Sequence, residues 1–225
     1  MLILKNFTVA IDGPAGSGKS TIAKQIAKKY NFLYLDTGAM YRAITYYFLQ
    51  NNIDIKNKNE VLNALEKIKI SFDKENNCML NGTDVSKEIR TKNVNNFVSQ
   101  VSSILEIREA MVKLQREIAS KTSSVLDGRD IGSVVLPNAN LKIFLTASVE
   151  ERAKRRYEEE KSKGIATNFE TVLENIKERD YIDTTKKFGA LKKVDDAILI
   201  DTTNIPIDKV IEKICVELNK KYDRK

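Results

Sequence analysis

The sequence predicts an α/β fold: a five-stranded parallel sheet covered by helices on both faces, with a small antiparallel sheet inserted and a helical lid. Three observations carry this expectation. Five short apolar runs alternate with helical patterns, the signature of a parallel sheet buried on both sides. A glycine-rich loop joins the first run to the first helical pattern. Between the second and third runs a long stretch breaks the alternation and carries the turn signals of hairpins. At 225 residues the chain can bury a full core as one domain with insertions.

The apolar runs are residues 7–11, 32–35, 124–126, 141–145 and 197–200. After the first comes Gly13-Pro14-Ala15-Gly16-Ser17-Gly18-Lys19-Ser20, which fits G-x-x-x-x-G-K-[ST]. A helical pattern continues from Thr21. Strand, loop and helix together form a phosphate cradle, in which backbone N–H groups and the helix N-terminus face anionic oxygens. Lys19 is then the group that reaches β- and γ-phosphates, and the Ser20 hydroxyl is a ligand for Mg²⁺. Gly13 to Thr21 is thus a site for a nucleoside triphosphate. In the long insertion, residues 69–85 read as short strands. Polar turns at Glu75-Asn76-Asn77 and Asn81-Gly82 join them into a sheet over about residues 68–85. The sheet lies within a mainly helical excursion from about residue 38 to 92, and so small a patch must lean on neighbouring helices.

Farther on, Ser148-Val149-Glu150-Glu151 and Thr167-Asn168-Phe169-Glu170 have capping-box spacing and predict two helix starts. Residues 152–164 are charged nearly all round, with few core positions. They read either as a solvated helix laced with salt bridges or as a mobile cover. In the second reading Arg152, Arg155 and Arg156, at i, i+3 and i+4, share one face and converge on phosphates. Ile207, Val210, Ile211, Ile214 and Leu218 repeat at helical spacing after Pro206 and predict a closing helix. The expected organisation is a single domain over residues 1–225. Its core is 1–37, 93–149 and 167–225, its insert 38–92 and its lid 150–166.

Composition excludes several classes. The chain has no histidine, which removes Ser-His triads, His-ligated zinc and histidine general bases. Its chemistry must run on Lys, Arg, Asp and Mg²⁺. Cys78 and Cys215 have no metal-type spacing and read as free thiols of a reducing cytosol. No run is long enough to span a membrane, and residues 1–5 are too short for a signal-peptide core. The formal charge of +7 comes without basic blocks interleaved with aromatics, so nucleic acid is not the expected partner. Asn57-Lys58-Asn59-Glu60 fails the guanine-reading N-K-x-D pattern, and no D-x-x-G switch occurs; a GTPase is not expected.

Three segments point to a small kinase instead. They are Leu35-Asp36-Thr37-Gly38-Ala39-Met40-Tyr41-Arg42, Val125-Leu126-Asp127-Gly128-Arg129-Asp130-Ile131-Gly132 and Ile176-Lys177-Glu178-Arg179-Asp180-Tyr181-Ile182-Asp183. The first two end apolar strands, where parallel sheets bind ligands. Arg42 and Arg129 would bring two guanidinium groups to a second phosphate, the acceptor. Asp127, closing its strand, would hold the magnesium shell through water. With these segments, with SQVSSILEIREAMV and with LKIFLTASVEERAKRRYEE, the chain resembles the bacterial cytidylate kinases of the nucleoside monophosphate kinase group over essentially its whole length.

The resemblance implies strand order 2-3-1-4-5 and roles for matching positions. Ser99, Arg108 and Asp130 match residues that contact the cytosine base; an Asp accepts from its exocyclic amine, which uracil lacks. Thr37, Tyr41, Arg42 and Arg129 match positions around the monophosphate, and Arg179 and Asp183 match residues near the sugar. The charged helix matches a mobile lid, with Arg152, Arg155 and Arg156 as its phosphate-facing arginines. Two positions depart from the family: Thr37 stands where Ser is common, and Lys186 stands where an Arg is usual. Lys186 keeps the charge but not the planar fork.

The implied reaction moves the γ-phosphoryl of ATP to CMP or dCMP with Mg²⁺. Lys19, Arg129 and the lid arginines are its catalytic groups, in a cytoplasmic monomer. The acceptor oxygen is already ionised at pH 7 and needs no side-chain base, which agrees with a chain lacking histidine. The alternatives are a related kinase for UMP or a non-nucleotide alcohol, and a nucleotide-binding module without turnover.

Overall fold

The structure, a computed structural model, describes residues 6–162 and 164–222. Residues 1–5, read above as too short for a signal peptide, lie outside it, as does Lys163 of the expected lid. In chain order the elements begin with β1 (Thr8–Asp12), α1 (Lys19–Tyr30), β2 (Leu33–Asp36), α2 (Thr37–Gln50) and α3 (Lys58–Lys67). Next come β3 (Ile70–Phe72), β4 (Cys78–Leu80), β5 (Thr83–Asp84), a 3-10 turn (Glu88–Arg90), α4 (Lys92–Val101) and α5 (Leu105–Lys121). The chain continues with β6 (Ser124–Gly128), a π-helical turn (Ile131–Val135), β7 (Leu141–Thr146), α6 (Val149–Ser162), α7 (Phe169–Thr185), β8 (Ile198–Asp201) and α8 (Ile207–Tyr222).

The large sheet runs β2-β6-β1-β7-β8, which is order 2-3-1-4-5 among its own strands, as the resemblance implied. β1 lies at its centre, parallel to β6 and β7. Val9, Ile11, Val125, Ile143 and Leu145 pack against Ile22, Ala23 and Ile26 of α1 and Val210, Ile214 and Leu218 of α8. Ala10 and Leu126 alternate onto the opposite face and are also fully buried, so that face is covered too. Full burial of each such Ile or Leu stabilises by about 1.5–3 kcal/mol. The register pairs Ile11 with Asp127 and Asp12 with Gly128. Asp12 and Asp127 therefore close neighbouring strands one register position apart, on opposite faces of the sheet, at the carboxyl edge where the phosphate loop begins.

The chain divides into two compact units, Met1–Tyr34 with Ala119–Lys225, and Leu35–Ile118. In the second, β3, β4 and β5 form the expected antiparallel sheet. Asn81 (φ 50) and Gly82 (φ 83) both take positive φ, the requirement of a tight hairpin turn that Asn-Gly meets. Cys78 and Leu80 pack with Ala39, Ala43, Val85 and Ile89, which is the helical support so small a sheet needs.

One expectation is corrected. The cap of α7 is Asn168, whose side chain accepts the Thr171 N–H at 2.8 Å, and not Thr167; Asn caps as well as a hydroxyl does and lies next to the first helical turn. The charged segment also has a core face. Val149, Ala153 and Tyr157 of α6 meet Phe169, Val172, Leu173 and Ile176 of α7, so α6 and α7 form a helical pair held by a narrow apolar stripe. The four-residue spacing of that stripe was masked by the charges between its members. The other start stands: Ser148 Oγ accepts the Glu151 N–H at 3.2 Å.

Candidate active site

The phosphate loop takes its shape from what surrounds it. Gly13 has φ 152, and a Cβ there would lie 2.0 Å from the Leu145 carbonyl oxygen. Gly16 has φ 76, and a Cβ there would come within 3.0 Å of Arg152. Side chains are excluded at both positions. Gly18 caps α1, whose first turn carries no acid and, among the described residues, no side-chain cap. Its first amides and the positive end of its dipole are left for an anion. Ser17 Oγ donates to the Pro14 carbonyl at 3.1 Å. Lys19 Nζ donates to the same oxygen at 2.6 Å and to Ser17 Oγ at 3.3 Å. Burial, followed by the Arg129 guanidinium, pushes the pKa of the Lys19 ammonium well below its usual value. Ser20 and Thr21 are exposed at the start of α1.

Ser20 Oγ donates to Asp127 Oδ2 at 2.8 Å, and Tyr34 Oη donates to Asp127 Oδ1 at 2.8 Å. Ser20 and Asp127 form a pair of hard oxygen donors of the kind that holds Mg²⁺. Among the described residues no group of three or more His, Cys, Asp or Glu could hold a metal ion. Tyr34 was not found by sequence reasoning. Neither was Asp12, whose Oδ1 accepts the Ile131 N–H at 2.8 Å and whose Oδ2 accepts the Gly132 N–H at 2.7 Å. Burial pushes the Asp12 carboxyl up to about 6 despite those two bonds. Asp12 carries the same signal that marked Asp127, a carboxylate at or near the end of an apolar strand.

Beyond β6 the chain delivers Arg129, whose Nε donates to Asp183 Oδ2 at 2.7 Å. Arg179 Nε lies 3.9 Å and Lys186 Nζ 3.7 Å from the same carboxylate. Helical spacing on α7 sets Arg179 and Asp183 on one face. Burial would raise the Asp183 carboxyl, but Arg129, Arg179 and Lys186 together hold it at about 2. Burial likewise opposes the Arg129 charge, and Asp183 more than restores it.

The three arginines of α6 part company. Arg152 is buried, donating to the carbonyls of Ala147 (3.0 Å) and Ala15 (3.2 Å) and pairing with Asp180 at 2.6 Å. It therefore ties the phosphate loop to α6 through the Ala15 carbonyl. Arg155 bonds Glu151 and both the hydroxyl and carbonyl of Thr202. Arg156 bonds Glu159 and Glu160 of its own helix. Of the three, Arg152 is the one bonded to the loop here, while Arg155 and Arg156 are held by Thr202 and by acids of their own helix.

The second unit holds a group of its own. Asp36 caps α2 by accepting the Ala39 N–H at 2.8 Å and pairs with Arg90 at 3.1 Å. Thr37 follows, buried in the first turn. Arg42 Nε donates to Asn95 Oδ1 at 3.3 Å. The Arg108 guanidinium stands 6.0 Å from the centre of the buried Tyr41 ring and donates to the Ser102 carbonyl at 3.4 Å. Ser99 is buried on α4, its carbonyl taking the hydroxyls of Ser102 and Ser103. The expected residues Tyr41 and Arg108 thus come together. Asp36, Arg90 and Asn95 are neighbours that sequence reasoning missed.

With this geometry described, comparison with known proteins adds the following. The sequence pattern of the cytidylate kinase family matches residues 9–220. A cytidylate kinase of Fusobacterium nucleatum subsp. nucleatum is 52% identical over 217 residues, covering 96% of this chain and 99% of that protein. A cytidylate kinase of Clostridioides difficile is 50% identical over 214 residues, covering 95% and 99%. Among solved structures, an uncharacterized protein from Eubacterium ventriosum aligns with a TM-score of 0.56 at 17% identity over 96% of this chain and 99% of that one, a likeness of fold alone.

Proposed function

The chain belongs to the cytidylate kinase family, and from that premise we propose that it transfers the γ-phosphoryl of ATP to CMP or dCMP. The observation that carries the reading is the company the phosphate loop keeps. Ser20 is bonded to strand-end Asp127, and the Lys19 ammonium feels the charges of Arg129, Arg179 and Asp183. A donor site and a cationic acceptor site belong to one carboxyl edge.

In the reaction a phosphate oxygen of CMP bonds to the γ-phosphorus while the bond to the β,γ-bridging oxygen breaks, and ADP leaves. The attacking oxygen carries no proton that must be removed, so the work is positioning and charge stabilisation. The amides of residues 13–20 and Lys19 hold the β- and γ-phosphates. Ser20 directly and Asp127 through water would hold Mg²⁺, which when bound offsets charge on the β- and γ-oxygens. By the resemblance to the family, Arg129 of the first unit serves the acceptor phosphate, Arg179, Asp183 and Lys186 the sugar side and Asp130 the base; in the second unit the matching positions are Thr37, Tyr41 and Arg42 for the phosphate and Ser99 and Arg108 for the base. Arg152 ties the loop to α6, while Arg155 and Arg156 must leave Thr202 and the Glu159–Glu160 pair to reach phosphate. The enzyme works as a monomer in the cytoplasm. Cys78 and Cys215 are buried free thiols, which suits a reducing compartment. Among the described residues no helix is long and apolar enough to cross a membrane.

The test is ADP release from ATP against CMP, dCMP, UMP, AMP and shikimate. Release with the cytidine pair alone supports the proposal, and release with UMP or shikimate instead overturns it.

A further inference from the structure

The geometry points to Asp12 as a positioning residue for base recognition, a buried carboxylate that fixes the turn carrying Asp130. The inference rests on the reading above that Asp130 meets cytosine.

Asp130 stands at the entrance of the π-helical turn Ile131–Val135, and its carbonyl accepts the N–H groups of Val134 at 2.8 Å and Val135 at 3.2 Å. The first amides of any helical turn lack partners within it. They are usually capped by the side chain of the entering residue. Here Asp130 makes no such cap bond. The cap comes from another strand: Asp12 takes the N–H of Ile131 on one oxygen and that of Gly132 on the other. The Asp130 carboxyl is thereby excused from capping, and its backbone is tied to the last residue of β1, immediately before the phosphate loop. The approach is close. A Cβ at Gly132 would lie 3.3 Å from Asp12 Oδ2 and 3.2 Å from Lys142 Cδ.

Two converging N–H donors require two acceptors. A carboxylate has them, whereas an amide offers one oxygen and turns its own NH₂ against the second donor. Asp12→Asn therefore breaks one charge-assisted bond and leaves a buried donor without a partner, enough to lower occupancy of the required turn by about tenfold.

Asp12→Asn, Gly132→Ala and Asp130→Ala are purified, checked for folding by circular dichroism, and assayed for KM toward CMP, KM toward ATP and the ratio of kcat/KM for CMP over UMP. For Asp12→Asn the expected result is a rise of about tenfold in the KM for CMP and a fall in the CMP:UMP ratio, with the KM for ATP within about twofold of wild type. Gly132→Ala pushes on the same bond from the other side and moves both quantities the same way. A folded Asp12→Asn enzyme with an unchanged CMP KM and ratio overturns the inference, as does an equal rise for CMP and ATP, which marks a merely structural acid. Should Asp12→Asn not fold, Gly132→Ala decides by the same criteria. Asp130→Ala separates the two failures. If it keeps full CMP use, the reading of Asp130 is wrong and the role of Asp12 falls with it. If it loses CMP use while Asp12→Asn does not, only the role of Asp12 is wrong.

Discussion

Replacing Asp183 by Asn tests the centre of the cationic cluster. The Asp183 side chain is 5% exposed, and Arg129, Arg179 and Lys186 surround it within 3.9 Å. Against the upward pull of burial, those cations lower its carboxyl from 3.8 to about 2. A folded-state pKa below the unfolded one means the ionised form is favoured by folding. The contribution is full above the unfolded value and disappears as pH falls through about 2. The size of the shift corresponds to roughly 2 kcal/mol. Asn keeps the shape and removes the charge, so it should lower Tm by about 4–8 °C for a chain of this length. The assay is urea unfolding of both proteins at pH 7.5 and pH 5. The stability gap should be the same at the two pH values, because both lie above the range in which Asp183 titrates. Asp12 adds the opposite slope to each protein. Burial raises it to about 6, so its ionised form is disfavoured and its contribution improves as pH falls through that value, and this cancels in the difference. A gap that closes by pH 5, or an Asn variant as stable as wild type, refutes the reasoning.

Lys19→Ala should lower kcat by about 10²–10³ or more, with Tm unchanged or higher, because burial already disfavours the Lys19 charge in the fold; turnover near wild type removes the loop from the mechanism. Chelation of divalent cations with EDTA should stop ADP release while calorimetry still detects CMP binding, since Ser20 and Asp127 serve the donor alone; loss of CMP binding contradicts that division. Lys186→Arg should leave the KM for CMP unchanged or lower, because the fork adds donors beside Asp183; a large rise means that Lys186 does not serve the acceptor.

Much of this was legible because its signals are local. A strand followed by G-x-x-x-x-G-K-S fixes the loop, and Asn81-Gly82 fixes a hairpin, since both depend on backbone conformations that few residues adopt. All five core strands fall within two residues of their expected ends. What escaped notice depends on partners far along the chain. The bond from Tyr34 to Asp127 spans 93 positions and that from Asp12 to Ile131 spans 119; no spacing rule reaches so far. The arginines of α6 illustrate a different limit. Their spacing gives a shared face, but the rotamer of each is chosen by the nearest acceptor: Ala15 and Asp180 for Arg152, Thr202 for Arg155, Glu160 for Arg156.

The first unit pairs opposite charges, Arg129 with Asp183 and Arg152 with Asp180, but two of its buried groups, Lys19 and Asp12, also stand near neighbours of their own sign. Lys19 is depressed by burial and then by Arg129, with Arg179 adding to it and Asp127 and Asp183 opposing; the cations are those of the proposed phosphate sites. Asp12 is raised by burial, with Asp130 adding to it; like charges are crowded where the amine of cytosine would lie. Each crowding costs the empty fold something, since a neighbour of the same sign disfavours ionisation. Under the proposed function each would be relieved by one end of the nucleotide: phosphate oxygens would restore the Lys19 ammonium, and an N–H donor would shield Asp130. Uracil would offer a carbonyl oxygen where cytosine offers an amine, and under the proposed role of Asp130 would meet its carboxylate acceptor to acceptor.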